Sequence, residues 1–247
     1  MPQNINWLER AELLLGSEKI NQLKNTTIAV VGLGGVGAYA AEMLARAGVG
    51  RMIIADADVV TPTNKNRQLL ALESTMGLPK VIMMYNRLKD INPDIELITI
   101  GEYITLENVE SLLTVENVKI DYIVDAIDTL SPKISLIQFA LASSIKIVSS
   151  MGAGAKTDAT KIKIKDISKS FNCPLAYMLR KRLRKVGISK GFRVVFSEEL
   201  PDGDAIVPVE ELNKKSMVGT ISYLPPVFGC ICAQAVLEDL LSLNQKQ

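Results

Sequence analysis

The chain has 247 residues, 48% hydrophobic and 22% charged, with a formal net charge of +1. That length can bury a full core, and the composition is that of a globular protein in water. With no histidine and three cysteines, it excludes Ser-His-Asp and Cys-His catalysis, His-ligated metals, a disulfide framework and paired CxxC zinc sites. Chemistry must then rest on carboxylates, lysine, arginine, a thiol or a bound metal ion.

The N-terminus, MPQNINWLERAE, has no basic-then-apolar signal pattern, so a cytoplasmic location is expected. Trp7 to Leu23 is helical by pattern, with Gly16 ending one short helix and Ser17 capping another. The decisive stretch follows, from Thr26 to Asp58. An apolar run, Ile28 to Val31, reads as a buried parallel strand and empties into Gly32-Leu33-Gly34-Gly35-Val36-Gly37. A helix is predicted over Ala38 to Ala47 with Gly48 at its C-terminal end, then a strand over Met52 to Ala55, then Asp56. Strand, glycine turn, helix, strand and acid make a nucleotide-binding βαβ unit. Gly32, Gly34, Gly35 and Gly37 allow tight turning and close backbone approach to phosphate, and Asp56 is placed to accept hydrogen bonds from a ribose.

Beyond Asp58 a polar stretch leads to a helix that begins near Pro79, expected at the first-turn position, and runs to about Asp90. Asn92-Pro93 forces a turn. Ile95–Ile100 is the next strand, Leu106–Leu113 a helix, and 121–126 a strand with acids at its carboxyl end. Pro132 opens a helix to about Ala142, and Ile145–Ser149 is a further strand. This alternation implies a Rossmann-like, doubly wound α/β fold whose mainly parallel sheet binds ligands at its carboxyl edge.

After Met151-Gly152-Ala153-Gly154 the pattern changes. Lys161 to Lys165 alternates with period two, so an added antiparallel strand is expected in the C-terminal part. Pro174 starts a helix with Leu175, Met178, Leu179, Leu183 and Val186 on one side and Arg180, Lys181, Arg182, Arg184 and Lys185 on the other. Arg193–Phe196 is a short strand. Pro201–Lys215 reads as a mobile surface loop, and Phe228–Leu243 as an apolar helix. The tract from Leu224 to Leu237 is too short and interrupted for a membrane span. No linker divides the chain, so 1–247 is expected to be one domain, with a nucleotide-binding part at about 24–154 and a basic part at about 155–247.

That basic part hides behind the near-neutral total. Lys156 to Arg193 holds twelve lysines and arginines against two aspartates, a balance of +10 that leaves −9 elsewhere. Such asymmetry points to a polyanionic partner. The helix from Pro174 is the candidate surface, although a basic helix is more often just a solvated face.

Around the glycine loop, the stretch after Asp56 offers Asp58, Asn64, Arg67, Gln68 and Lys80, and Asp128 follows in DAIDT. A glycine cradle, an arginine, a lysine and a strand-end aspartate able to hold Mg²⁺ suit phosphoryl or adenylyl transfer better than the hydride transfer of an NAD-dependent oxidoreductase. Taken singly, Arg67 and Lys80 could be solvated charges and Asp128 a helix cap. Convergence favours the site.

GLGGVG at 32–37, DAD at 56–58, NKNRQ at 64–68, GLPK at 77–80, INP at 91–93 and DAIDT at 125–129 together resemble the ubiquitin-activating-enzyme-like adenylyltransferases (ThiF/MoeB/HesA). VSSMGAGAKTD, ISKS, CPLAYMLRKRL and TISYLPPVFG look like the tRNA threonylcarbamoyladenosine dehydratase branch. The resemblance implies ATP with Asp56 on the ribose, Arg67 and Lys80 on the phosphates, and Asp128 on Mg²⁺. It also implies a homodimer in which Arg10 reaches the partner subunit's ATP, and tRNA as substrate; whether a sulfur-relay protein docks as a further partner stays open. A rival within the same family is activation of a small ubiquitin-like sulfur carrier. Such activators usually carry two CxxC pairs, which are missing here, and often a crossover-loop thiol, for which Cys173 is the one candidate.

Overall fold

The computed structural model describes residues 6–211 and 214–243, with side chains at 209–216 outside the description. Two short helices open the chain, α1 (Glu9–Leu15) and α2 (Ser17–Lys24), divided at Gly16 as the pattern predicts. Ser17 is already helical and makes no side-chain cap, because Gly16, at φ +85°, occupies the capping position. The βαβ unit follows as β1 (Thr27–Val31), α3 (Gly37–Arg46) and β2 (Arg51–Ala55). Next come α4 (Lys80–Ile91), β3 (Glu96–Ile100), α5 (Val109–Leu113), β4 (Tyr122–Asp125), α6 (Leu130–Ala142) and β5 (Lys146–Ser150). Pro79 is the N-cap of α4 rather than its first-turn residue, and α5 is shorter than its apolar pattern suggests. Helix α6 starts before Pro132, with Thr129 as its N-cap, so Asp128 lies outside the helix and is not its cap.

The C-terminal part adds β6 (Ile162–Asp166), α7 (Pro174–Arg184), β7 (Arg193–Ser197), β8 (Ile206–Glu211), β9 (Lys214–Val218) and α8 (Leu224–Leu241). The sheet order is β3-β2-β1-β4-β5-β7-β6. Every neighbouring pair is parallel except β6 with β7, which supplies the expected antiparallel strand. Strands β8 and β9 form a separate antiparallel ribbon. Pro201–Lys215 is therefore not the loop its Pro, Gly and acid content suggests: Ile206, Val207 and Pro208 pair with Val218, Met217 and Ser216, which satisfies their backbone groups. Residues 212 and 213 of that stretch lie outside the described residues.

The core forms on both faces because strand side chains alternate. Ile28, Val30, Met52, Ile54, Tyr122 and Val124 pack under α3, α4 and α8. Ala29, Val31, Ile53, Ala55 and Ile123 pack under α5, α6 and α7. Of the apolar set expected on α7, Leu179 and Leu183 are buried, while Met178 within the helix and Val186 beyond it are exposed.

Helix α8 begins four residues earlier than expected and is long and apolar enough to cross a membrane by length and composition, yet half of it is buried on the sheet and α3. The two helices cross at Gly229, where a Cβ would lie 2.3 Å from the Val36 carbonyl oxygen, so no larger residue fits. Pro225, at the start of α8, abuts Gly35. The last helix thus buttresses the glycine turn.

Candidate functional site

The turn from β1 to α3 has the geometry its glycines demand. Gly32 sits at φ +91°, and a Cβ there would meet the Ala126 carbonyl at 2.8 Å. At Gly37 it would fall 1.7 Å from the Gly32 carbonyl. Any side chain at either place would break the turn or push β1 from β4. Gly34 lies beside the Gln68 side-chain amide, and Gly35 beside the Arg67 stem. The segment 64–68 is thereby brought against the turn, as its polar residues imply.

Asp56 follows β2 directly, with its carboxylate nearly buried. Leu33 N donates to one oxygen at 2.6 Å and Asp58 N to the other at 2.8 Å. Burial raises its pKa, against the pull of Lys80 and those two amides. The bond from Leu33 locks the acid to the glycine turn, which is the register a ribose ligand needs.

Lys80 opens α4 and is only 4% exposed. Its backbone N donates to the Asp58 carbonyl at 3.0 Å, and the segments 58–60 and 77–80 are laced together by Val60 N to Leu78 O and Gly77 N to Val60 O. Nζ donates to Asp58 Oδ2 at 2.8 Å and lies 3.9 Å from Asp56. Asp58 Oδ1 also accepts from the Tyr103 hydroxyl at 2.7 Å. That bond first, then the charges of Asp58, Asp56 and Asp128, raises the tyrosine's pKa. Tyr103, on the turn after β3, escaped the sequence reading because a single aromatic in GEYITLEN carries no motif.

Arg67 donates to the Thr63 carbonyl at 3.0 Å and to Asn66 Oδ1 at 2.8 Å. Asn64 spends its side-chain oxygen on Thr61 N, closing a 3-10 turn, so that atom holds the loop's shape. Asp128 is exposed after β4. Among the described residues no three acids or thiols cluster to hold a metal ion. A lone carboxylate suits Mg²⁺ taken chiefly from substrate phosphates and water.

Beneath Asp128 lies a polar set that sequence reading missed. Asp125 accepts from Lys133 Nζ at 2.7 Å, Ser149 Oγ at 2.6 Å and Ile127 N at 3.1 Å, with Lys133 and Asp125 both fully buried. The signal was available: Lys133 is the one charge in the otherwise apolar helix LSPKISLIQFALA.

Arg10 sits away from these groups. Leu8, two residues earlier, packs on Gly48 beyond the C-terminal end of α3, whereas the glycine turn is at its N-terminal end. Ten helical residues span about 15 Å.

Lys181, Arg182 and Arg184 on α7, and Lys185 at its C-terminal cap, are exposed. Arg180 is half-buried, donating to the Ser170 carbonyl at 2.7 Å and to its hydroxyl. Tyr177, Arg180, Lys181 and Arg184 line a shallow groove of about 280 Å³. Of the aromatics in this region, Phe171 and Tyr177 are exposed and Phe192 is buried.

The family model described as ThiF matches residues 8–247. The chain belongs to the ThiF family. Within it, the chain is 43% identical to the tRNA threonylcarbamoyladenosine dehydratase of Bacillus subtilis over 96% of its own length and 95% of that protein's. It superposes with a TM-score of 0.87 on a crystal structure of the Escherichia coli tRNA N6-threonylcarbamoyladenosine dehydratase in complex with ATP, at 32% identity, covering 97% and 96% of the two chains. The same E. coli enzyme in complex with AMP gives 0.85. The ThiF-family fold, with its Rossmann-like, mainly parallel sheet, is thus this chain's fold. The resemblance carried by the six short motifs extends through the C-terminal part.

Proposed function

We propose that this protein is an ATP-dependent tRNA threonylcarbamoyladenosine dehydratase. One observation carries the reading: near full-length similarity to such dehydratases coincides with a site that gathers a glycine turn, Asp56, Lys80, Gln68 and Arg67 at one sheet edge.

The chemistry follows from the substrate's carboxylate, a poor electrophile. Its oxygen attacks the α-phosphorus of ATP, the bond to the β-phosphate breaks, and pyrophosphate leaves. The modification's own carbamoyl group then attacks the activated carbonyl, closing a ring and expelling AMP. The oxygen lost from the substrate departs in AMP, so the product is lighter by one water. Because the nucleophile belongs to the substrate, neither histidine nor a catalytic cysteine is needed.

Asp56 holds the ribose, while Gly32, Gly34, Gly35 and Gly37 let backbone amides approach the phosphates. Lys80 and Arg67 offset charge growing on the α-phosphate and pyrophosphate, with Gln68, Asn64 and Asp58 framing them. Mg²⁺, taken up with ATP at Asp128, would supply further neutralisation. Arg10, too distant from its own site, acts across a homodimer. The exposed α1 residues Leu13 and Leu14, each more than 80% exposed, favour such an interface.

The tRNA lies along α7, on Lys181, Arg182, Arg184 and Lys185, since phosphate contacts require clustered cations. A cytoplasmic site of action accords with that substrate. The test is AMP release from ATP and Mg²⁺ with tRNA lacking the cyclised base. Release that requires tRNA supports the reading. Release triggered instead by a small Gly-Gly-tailed protein would move it to carrier activation.

A further inference from the structure

Tyr103 stands outside every role assigned so far. It lies on the turn after β3, the strand paired with β2, so the fold delivers it to the sheet's carboxyl edge beside Asp56 and Asp58. Its hydroxyl donates to Asp58 Oδ1 at 2.7 Å while Lys80 Nζ donates to Asp58 Oδ2 at 2.8 Å. A single carboxylate therefore joins the tyrosine to the lysine, one oxygen to each. The turn itself is braced, with Asn108 Nδ2 donating to the Tyr103 carbonyl at 2.8 Å and Thr105 N to Asn108 Oδ1 at 2.7 Å. The hydroxyl is thus presented from a fixed frame, yet the residue is 68% exposed, so core packing does not account for it.

We propose that Tyr103 is a positioning residue of the nucleotide site, acting through Asp58 to set Lys80 against the phosphates of ATP. This rests on the reading of the site as one for ATP. The physical need is plain. Lysine carries a compact charge on a flexible four-carbon stem, and it binds phosphate well only if that stem is ordered beforehand. Asp58 is the anchor, but its side chain is half-exposed. A second donor on its other oxygen fixes the plane of the carboxylate and hence the direction from which Lys80 is held. Without the hydroxyl, that constraint on the carboxylate's plane is lost and Lys80 is held less closely in its preset position.

The test is calorimetric binding of ATP with Mg²⁺, and of adenosine, to wild-type protein and the Tyr103→Phe, Asp58→Asn and doubly substituted variants. Tyr103→Phe is expected to weaken ATP about three- to tenfold, the worth of one hydrogen bond. Adenosine binding and the thermal midpoint should stay as in wild type, because only the phosphates feel Lys80. Adding Tyr103→Phe to Asp58→Asn should cost nothing further, since both act along one chain. Unchanged ATP affinity in Tyr103→Phe, equal losses for adenosine, or additive losses in the double variant would each overturn the proposal. A wild-type protein that binds no ATP would sink the site reading together with it.

Discussion

Lys133 Nζ lies 2.7 Å from Asp125 Oδ2, with both side chains sealed from solvent, directly under the turn that carries Asp128. The other Asp125 oxygen takes the Ile127 amide, so the ion pair and the turn share one carboxylate. Removing the cation would strand a buried charge. Lys133→Met is therefore expected to lower unfolding free energy by about 3–5 kcal/mol, read as a shift in denaturant midpoint at unchanged slope. A change under about 1 kcal/mol would mean that Asp125 is satisfied without its partner.

Asp128 makes the opposite prediction. It is exposed and not a helix cap, so Asp128→Asn should leave the melting temperature within a degree or two while abolishing Mg²⁺-dependent turnover. Retained turnover would remove it from the metal's coordination.

Helix α7 should answer to salt. Because Arg180 bonds to Ser170, the informative variant neutralises Lys181, Arg182, Arg184 and Lys185 and leaves Arg180 in place. Binding of tRNA should weaken, and the slope of log affinity against log salt should flatten by about 0.7–0.9 for each phosphate that is no longer neutralised. An unchanged slope would make the helix a solvated face.

The thiols should divide by burial. Burial pushes Cys232 up to about 12, and Cys173 is likewise buried, so neither sulfur is open to attack from solvent. At pH 8 the folded protein should leave Cys232 unalkylated until it is denatured. Cys173→Ala should keep ring closure largely intact, whereas complete loss of product in a folded variant would revive a thioester route.

Acid should be felt through Glu42 on α3. Burial alone would raise its pKa, but hydrogen bonds from Arg87 and Arg46 outweigh it and hold the carboxyl below its ordinary value. A depressed folded pKa adds stability that is present above the unfolded value and lost as pH falls through the folded one. The deficit of Glu42→Gln relative to wild type should therefore be largest near pH 7 and close in acid. A deficit independent of pH would show that Glu42 acts by packing alone.

How far the sequence could be read depended on whether an element's cause was local. The βαβ unit announced itself because Gly32 is needed for its positive φ and Gly37 for the close approach of the Gly32 carbonyl, both set within one turn. The ribbon at 206–218 did not, since its strands are fixed by pairing with each other and not by alternation strong enough to outweigh Pro and Gly. The partners of Tyr103 and Lys133 were hidden for a related reason. Each residue draws its role from an acid 45 or 8 residues away, and a lone tyrosine or lysine has no period to betray it. Helical spacing places Arg180 on the basic face, but its bond to Ser170, ten residues earlier, has no signature in the sequence.

The most direct measurement is mass analysis of nucleosides from tRNA of a strain lacking this protein, incubated with the purified protein, ATP and Mg²⁺. The account predicts conversion of threonylcarbamoyladenosine to a species lighter by one water, with one AMP formed per base and no conversion without ATP. Protein that binds ATP yet leaves the nucleoside mass unchanged would contradict it.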